Sequence, residues 1–174
     1  MGRVVSLEAL VRLRQGWSAG GKTVVLTNGC FDLLHVGHVR YLRQARALGD
    51  LLIVGLNDDS SVRRLKGPRR PVVQQDDRAE LIASLECVDY AVVFAEDTAT
   101  NLVVALQPDV YVKGGDYGEG GKDLPEAGAV RGYGGRIELI PLVAGRSTTD
   151  LVQQVLERYA CQLKERETGP ETSP

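Results

Sequence analysis

The chain has 174 residues, 43% hydrophobic and 25% charged, with a net charge of −2; this fits one domain with a buried core and gives no global field toward nucleic acid or an anionic membrane. Aromatic residues make up 5%, too few for a base-stacking surface, and no apolar run approaches the ~20 residues that span a bilayer. The N-terminus shows no signal-peptide core, and Cys30, Cys87 and Cys161, odd in number and widely spaced, match neither a disulfide framework nor a zinc site, so a reducing, cytoplasmic compartment is expected.

Leu7, Leu10, Val11 and Leu13 give residues 6–15 an amphipathic helical pattern with Ser6 as candidate N-cap, within an N-terminal helical segment counted as 6–19. Gly20-Gly21-Lys22 leads into an apolar first strand, 23–27. After a turn, apolar residues at 39/42 and 41/45/48 have helical spacing, and Gly49 reads as the stop. Residues 51–56 form a second apolar run without alternation, as expected of a strand covered on both faces. Residues 57–75 are polar and loop-rich, with a short helical stretch near 59–65 and Pro68 and Pro71 as breakers. Asp77 with Glu80 resembles a capping box opening a helix to about Glu86. Residues 90–94 read as the third strand, and Thr98 as the cap of a helix through Leu106 that Pro108 ends. The fourth strand is 110–113. A glycine-rich loop follows, then a short helix near 124–130, a fifth strand over 136–140 and a last helix from Thr148 to Leu163. Residues 1–163 make one domain, and 164–174 read as a disordered tail.

This alternation predicts an α/β fold: a Rossmann-like, parallel, five-stranded sheet with helices on both faces and right-handed crossovers. In such sheets ligands bind beyond the carboxyl ends of the strands, where the strand order switches. The turn after residue 27, the loop after Leu56 and the loop after Lys113 all lie at such ends and can meet in one crevice.

The most informative segment is Asn28-Gly29-Cys30-Phe31-Asp32-Leu33-Leu34-His35-Val36-Gly37-His38, between the first strand and its helix. It holds the only two histidines of the chain. A helix N-terminus with free N–H groups attracts anions, and two imidazoles beside it add donors for phosphate oxygens. Gly37, lacking a Cβ, permits close backbone approach.

His35-Val36-Gly37-His38 matches the H-x-G-H signature of the nucleotidyltransferase superfamily, and Gly29 to Leu34 extends the match to its small cytidylyltransferase-like group. Further segments fall in the same order: Arg64-Leu65-Lys66-Gly67, Arg70-Pro71-Val72, Leu85 to Asp89, Val112 to Tyr117, and Ser147-Thr148-Thr149. Together they resemble the heptose-1-phosphate adenylyltransferase family over roughly residues 6–160. That resemblance implies a nucleotidyltransferase fold over 1–163. It implies transfer of AMP from ATP to D-glycero-β-D-manno-heptose 1-phosphate, giving ADP-heptose, for lipopolysaccharide or S-layer precursors, and pyrophosphate. It also implies a homodimer, with Mg2+ bound through the nucleotide phosphates and no dedicated protein metal site. The glycerol-phosphate cytidylyltransferases fit less well: this chain has Leu142 and Glu86 where they carry arginines, and a different segment over Lys113 to Tyr117.

The resemblance assigns His35, His38, Lys66 and Ser147 to catalysis. It assigns Asn28, Gly29, Cys30, Phe31, Gly37, Lys113, Gly114, Asp116, Arg146, Thr148 and Thr149 to the nucleotide, and Asp32, Asn57, Lys66 and Arg78 to the acceptor. Each has a plainer reading. Cys30 has no base or second cysteine nearby and reads as a packed small residue rather than a reactive thiol. Asp32 either binds a metal or polar group or caps the following turn. Lys66 sits among Arg63, Arg64, Arg69 and Arg70, which alone would be a solvated charged loop. Arg78, in the first turn of its expected helix, opposes the dipole preference there; an anionic ligand or an ordinary ion pair would explain it. The loop Lys113 to Gly121 is either flexible surface or a backbone-lined pocket closing over substrate. Ser147 and Thr148 suit any helix start, and also a second phosphate-binding N-terminus.

Two other functions stay open at this point. One is a cytidylyltransferase using CTP and another small phosphate or phosphonate, such as glycerol 3-phosphate. The other is a nucleotide-binding protein without catalysis. Neither nucleic acid nor membrane is an expected partner.

Overall fold

The computed structural model describes residues 1–115, 124–141, 145 and 147–167, with side chains to residue 159. Its elements in chain order are β1 (Arg3–Val4), α1 (Leu7–Ala19), β2 (Val24–Gly29), α2 (Val36–Arg46), β3 (Leu51–Asn57), α3 (Asp59–Lys66) and α4 (Gln75–Ala83). They continue with β4 (Tyr90–Phe94), α5 (Thr100–Leu106), β5 (Val110–Gly114), α6 (Ala127–Gly132), β6 (Arg136–Ile140) and α7 (Thr148–Glu167). Among the described residues no helix is long and apolar enough to cross a membrane.

The strands form one parallel sheet in the order β1-β4-β3-β2-β5-β6. The chain winds outward from β2 through β3 to β4, then crosses to the other side of β2 to place β5 and β6. The order therefore switches between β2 and β5, where Leu26 pairs with Tyr111 and Thr27 with Val112. Successive side chains of each strand point to opposite faces, so one apolar run feeds two cores. Val25, Leu52, Val54 and Leu56 pack with Leu42, Ala45, Ala79 and Ile82 of α2 and α4. Val24, Leu26, Ile53 and Tyr111 pack on the other face with Leu10, Leu102, Val103, Leu106 and Val130. Burial on both faces explains the absence of alternation in the sequence.

Six strands replace the expected five. The added strand, β1, is two exposed residues paired with Tyr90 and Ala91 at the sheet edge. It lacks the apolar run that marks a buried strand. Its position is fixed beside Gly2, whose Cβ, if present, would lie 2.4 Å from the Val88 carbonyl oxygen.

Several boundaries also move. The helix expected from residue 39 begins at Val36, with His35 as its N-cap. Helix α4 starts at Gln75, so Asp77 lies in its first turn instead of capping it, and Gln74 makes no side-chain cap. Thr98 bonds to Thr100 Oγ1 while Ala99 occupies the N-cap of α5, and left-handed Gln107 (φ 42°) ends that helix before Pro108. Helix α7 extends to Glu167, into the segment read as tail; residues 168–174 lie outside the described residues.

Candidate active site

A cavity of about 530 Å³ opens at the carboxyl ends of the strands, over the β2/β5 switch. Strand β2 delivers Asn28 and Gly29 to it, and the turn to α2 delivers Cys30, Phe31, Asp32 and His35. The first turn of α2 adds Gly37 and His38. Lys113 and Gly114 enter from β5, Asn57 from β3 and Lys66 from the end of α3. Ser147, Thr148 and Thr149 border the same space at the start of α7. Segments as far apart in sequence as Asn28 and Thr149 thus converge because parallel strands end on one side of the sheet.

The two imidazoles stack, with ring centroids 3.8 Å apart and planes inclined by 24°. The Phe31 ring meets His38 edge-on at 5.4 Å. Burial, and then the neighbouring His35, lowers the His38 pKa to about 4, so this ring is neutral at pH 7 in the free protein. Its buried Nδ1 has no hydrogen-bond partner. A phosphate oxygen would supply one, and its charge would draw the ring back toward protonation.

Asn28 sits at the switch point and binds its two neighbours from β5. Its Oδ1 accepts from Tyr111 Oη at 2.6 Å and from Lys113 Nζ at 3.0 Å. Lys113 is buried, with 8% of its surface exposed, so its ammonium is held at the cavity edge. At α7, the Asp150 amide donates to Ser147 Oγ at 3.0 Å and the Ser147 amide donates to Asp150 Oδ2 at 3.1 Å, a reciprocal cap. Thr148 Oγ1 reaches the Leu33 carbonyl at 3.5 Å, tying the start of α7 to the turn before α2. The N-termini of α2 and α7 therefore share one cavity, each with a positive dipole end.

Two expected acceptor contacts read differently. Arg78 is fully buried and does not line the cavity. Its guanidinium donates to the Val73 carbonyl at 3.0 Å, to the Cys30 carbonyl at 2.5 Å and to Asp59 Oδ1 at 2.7 Å. The anion that explains this arginine is internal. Asp32 does border the cavity but is 2% exposed, and its carboxylate accepts from Arg70 Nε and from the amides of Val72 (2.8 Å) and Val73 (2.9 Å). It fastens the 70–73 loop, 38 to 41 positions away, and among the described residues no bond to the turn that follows Asp32 accompanies these. Burial raises the Cys30 thiol above its ordinary value despite the opposing pull of Lys66 and Arg78, as a packed thiol requires. Asn57 lines the cavity, and its Nδ2 donates to the Glu96 carbonyl at 3.1 Å. Asp116 and Arg146 lie outside the described residues, as does the loop from Tyr117 to Gly121.

The cavity also has residues that motif reading passed over. Tyr41 bridges Thr27 Oγ1 (2.7 Å) and the Val112 carbonyl (3.2 Å) beneath it. Asp97 and Thr98 follow the carboxyl end of β4, and Glu126 follows the glycine-rich loop. The strand-end rule itself was the signal for Asp97 and Thr98. Among the described residues no group of three or more His, Cys, Asp or Glu is placed to hold a metal ion.

Several known proteins are similar to this chain. The Bifunctional protein HldE of Trichlorobacter lovleyi is 55% identical over 160 residues, covering 90% of this chain and 32% of that protein. The Bifunctional protein HldE of Syntrophotalea carbinolica is 60% identical over 142 residues, covering 80% of this chain and 28% of that protein. The chain thus spans about a third of the length of these relatives. Among solved structures, the lipopolysaccharide core biosynthesis protein from Thermoplasma volcanium superposes with a TM-score of 0.57 at 29% identity, over 71% of this chain and 98% of that one. Pantoate-beta-alanine ligase from Francisella tularensis, complexed with beta-gamma ATP and beta-alanine, shares the fold with a TM-score of 0.56 at 12% identity, over 95% of this chain and 80% of that one. The cytidylyltransferase-like family model matches residues 26–161, from the middle of β2 into α7, and so takes in the starts of both α2 and α7. The chain belongs to the cytidylyltransferase-like family and is a nucleotidyltransferase.

Proposed function

We propose that this chain transfers AMP from Mg-ATP to D-glycero-β-D-manno-heptose 1-phosphate, giving ADP-heptose and pyrophosphate. The observation that carries the phosphoryl-transfer part is the His35/His38 stack at the start of α2, sharing a cavity with the start of α7. The heptose part is supported by the segments Arg64 to Gly67, Val112 to Tyr117 and Ser147 to Thr149. It is supported too by the likeness to a lipopolysaccharide core biosynthesis protein.

In this reading the acceptor is already an anionic nucleophile, so no catalytic base is needed. An oxygen of the sugar 1-phosphate attacks the α-phosphorus. The bond from that phosphorus to the bridging α–β oxygen breaks, and pyrophosphate leaves with the electron pair. The obstacle is charge crowding, and the chain answers it with alignment and fixed donors. His35 and His38 donate to the phosphates as charge builds on them. Ser147, Thr148 and the α7 amides hold the triphosphate from the other side. Lys66 brings the acceptor phosphate in, while Lys113 and the backbone of Gly114 border the nucleoside. Magnesium brought in with the nucleotide would offset the charge of its phosphates, and the residues above would hold the complex through those phosphates.

Pyrophosphate release measured with ATP and with CTP, against heptose 1-phosphate and a panel of small phosphates, tests the proposal. Turnover with ATP and the heptose phosphate is expected. Turnover on CTP alone, with silence toward ATP and every heptose phosphate, would overturn it.

A further inference from the structure

Two hydrogen bonds tie together the part of the cavity lining that follows β4. Asn57 Nδ2 donates to the Glu96 carbonyl at 3.1 Å, and three residues on, the Ala99 amide donates to Glu126 Oε1 at 2.8 Å. Glu126 is 2% exposed and lines the cavity with Asp97 and Thr98. Its first carboxylate oxygen caps α5. Its second, Oε2, is buried and has no hydrogen-bond partner. No cation forms an ion pair with Glu126 among the described residues. A buried acceptor left unmatched is costly, and such groups in a cleft mark a place for a ligand donor.

We infer that Glu126 Oε2 accepts a hydrogen bond from a sugar hydroxyl of a bound substrate, and so sets which hydroxylated substrate the cavity takes. A carboxyl oxygen left without a partner suits a neutral hydroxyl donor better than the phosphates that the histidine side attracts. The cavity lining therefore offers donors for the anionic part of the ligands and an acceptor for the polyol part. The inference rests on the proposed nucleotide and sugar-phosphate chemistry, which supplies two polyols: the ribose of the nucleotide and the acceptor sugar.

Glu126→Gln separates this role from helix capping. A glutamine keeps an oxygen for the Ala99 amide and turns an NH2 group toward the cavity, replacing an acceptor with a donor. With the full chain, ATP and heptose 1-phosphate are varied in turn. The KM of one of them is expected to rise about 10- to 100-fold, the scale for losing a charged hydrogen-bond partner, with kcat and Tm near wild type. A rise for ATP, with loss of the wild-type preference for ATP over 2′-deoxy-ATP or 3′-deoxy-ATP, places the carboxylate on the ribose. A rise for the sugar phosphate places it on the acceptor. Unchanged KM values for both, or a lower Tm as the only effect, reduce Glu126 to a helix cap and overturn the inference. If the wild type uses a different nucleotide or acceptor, the proposed function falls, while the same comparison on the active pair still decides the role of Glu126.

Discussion

Two sets of charged and ionisable residues surround the same cavity and differ in what their polar atoms touch. Asp32, Arg70 and Arg78 are bonded to one another's loops: Asp32 to Arg70 and the 72–73 amides, and Arg78 to two carbonyls and Asp59. His38 and Lys66 instead face the cavity, with His38 Nδ1 unsatisfied and Lys66 exposed at the end of α3. Nearness to a cleft therefore does not make a residue a substrate contact. A group whose bonding capacity is filled by the protein builds the wall; one with capacity left can meet a ligand.

The largest effect expected from this division is on stability. Arg78→Met leaves Asp59 and the Cys30 carbonyl without their buried donor, and should destabilise the fold by about 3–5 kcal/mol in urea unfolding. An unchanged unfolding midpoint with a raised acceptor KM would return Arg78 to the substrate. His38→Ala should do the reverse. Turnover should fall about 10²- to 10³-fold, the scale for losing one transition-state donor, with a much smaller loss of stability. Wild-type turnover in that variant would erase the distinction.

The same histidine gives a pH signature. Its folded pKa, about 4, lies below its ordinary 6.5, so the unfolded chain binds more protons between those values. His38 therefore contributes stability that is whole above pH 6.5 and drains away as pH falls toward 4. Urea titrations across this window should show the slope in the wild type and lose most of it in His38→Ala. ATP should flatten it, because a phosphate beside the ring raises the folded pKa. A slope indifferent to ATP would mean that His38 does not face the phosphates. The smallest effect is expected for Lys66→Met: about a tenfold loss in kcat/KM with unchanged stability, since an exposed ammonium contributes to ligand binding alone.

These contrasts also separate what was legible in the sequence. The buried parallel strands were, because Val24 to Leu26 and Leu52 to Leu56 must be apolar on both faces. The histidine turn was, because the spacing of His35 and His38 is fixed by the first turn of one helix. Strand β1 was not, since Arg3 and Val4 are held by an edge and by the backbone approach at Gly2, neither of which leaves a hydrophobic pattern. The role of Arg78 was not, because its partners lie 5, 19 and 48 positions away and meet only through the fold. Glu126 was hidden for the same reason: the Ala99 amide it accepts from lies 27 residues earlier.

Phe31 carries a last consequence. It is one of two non-glycine residues with positive φ among those described, at 45°, a conformation that L side chains adopt at a cost. The bent backbone swings its ring against His38, and the same ring crowds the position where a Cβ on Gly29 would stand, 3.1 Å away. Glycine at 29, the contorted residue at 31 and the imidazole at 38 thus form a single mechanical unit, and no member can drift alone. A chain that trades Phe31 for a relaxed glycine frees position 29 but leaves the imidazole without its brace. A side chain at position 29 should therefore be tolerated only where the ring at 31 is smaller, and always with a looser imidazole at 38.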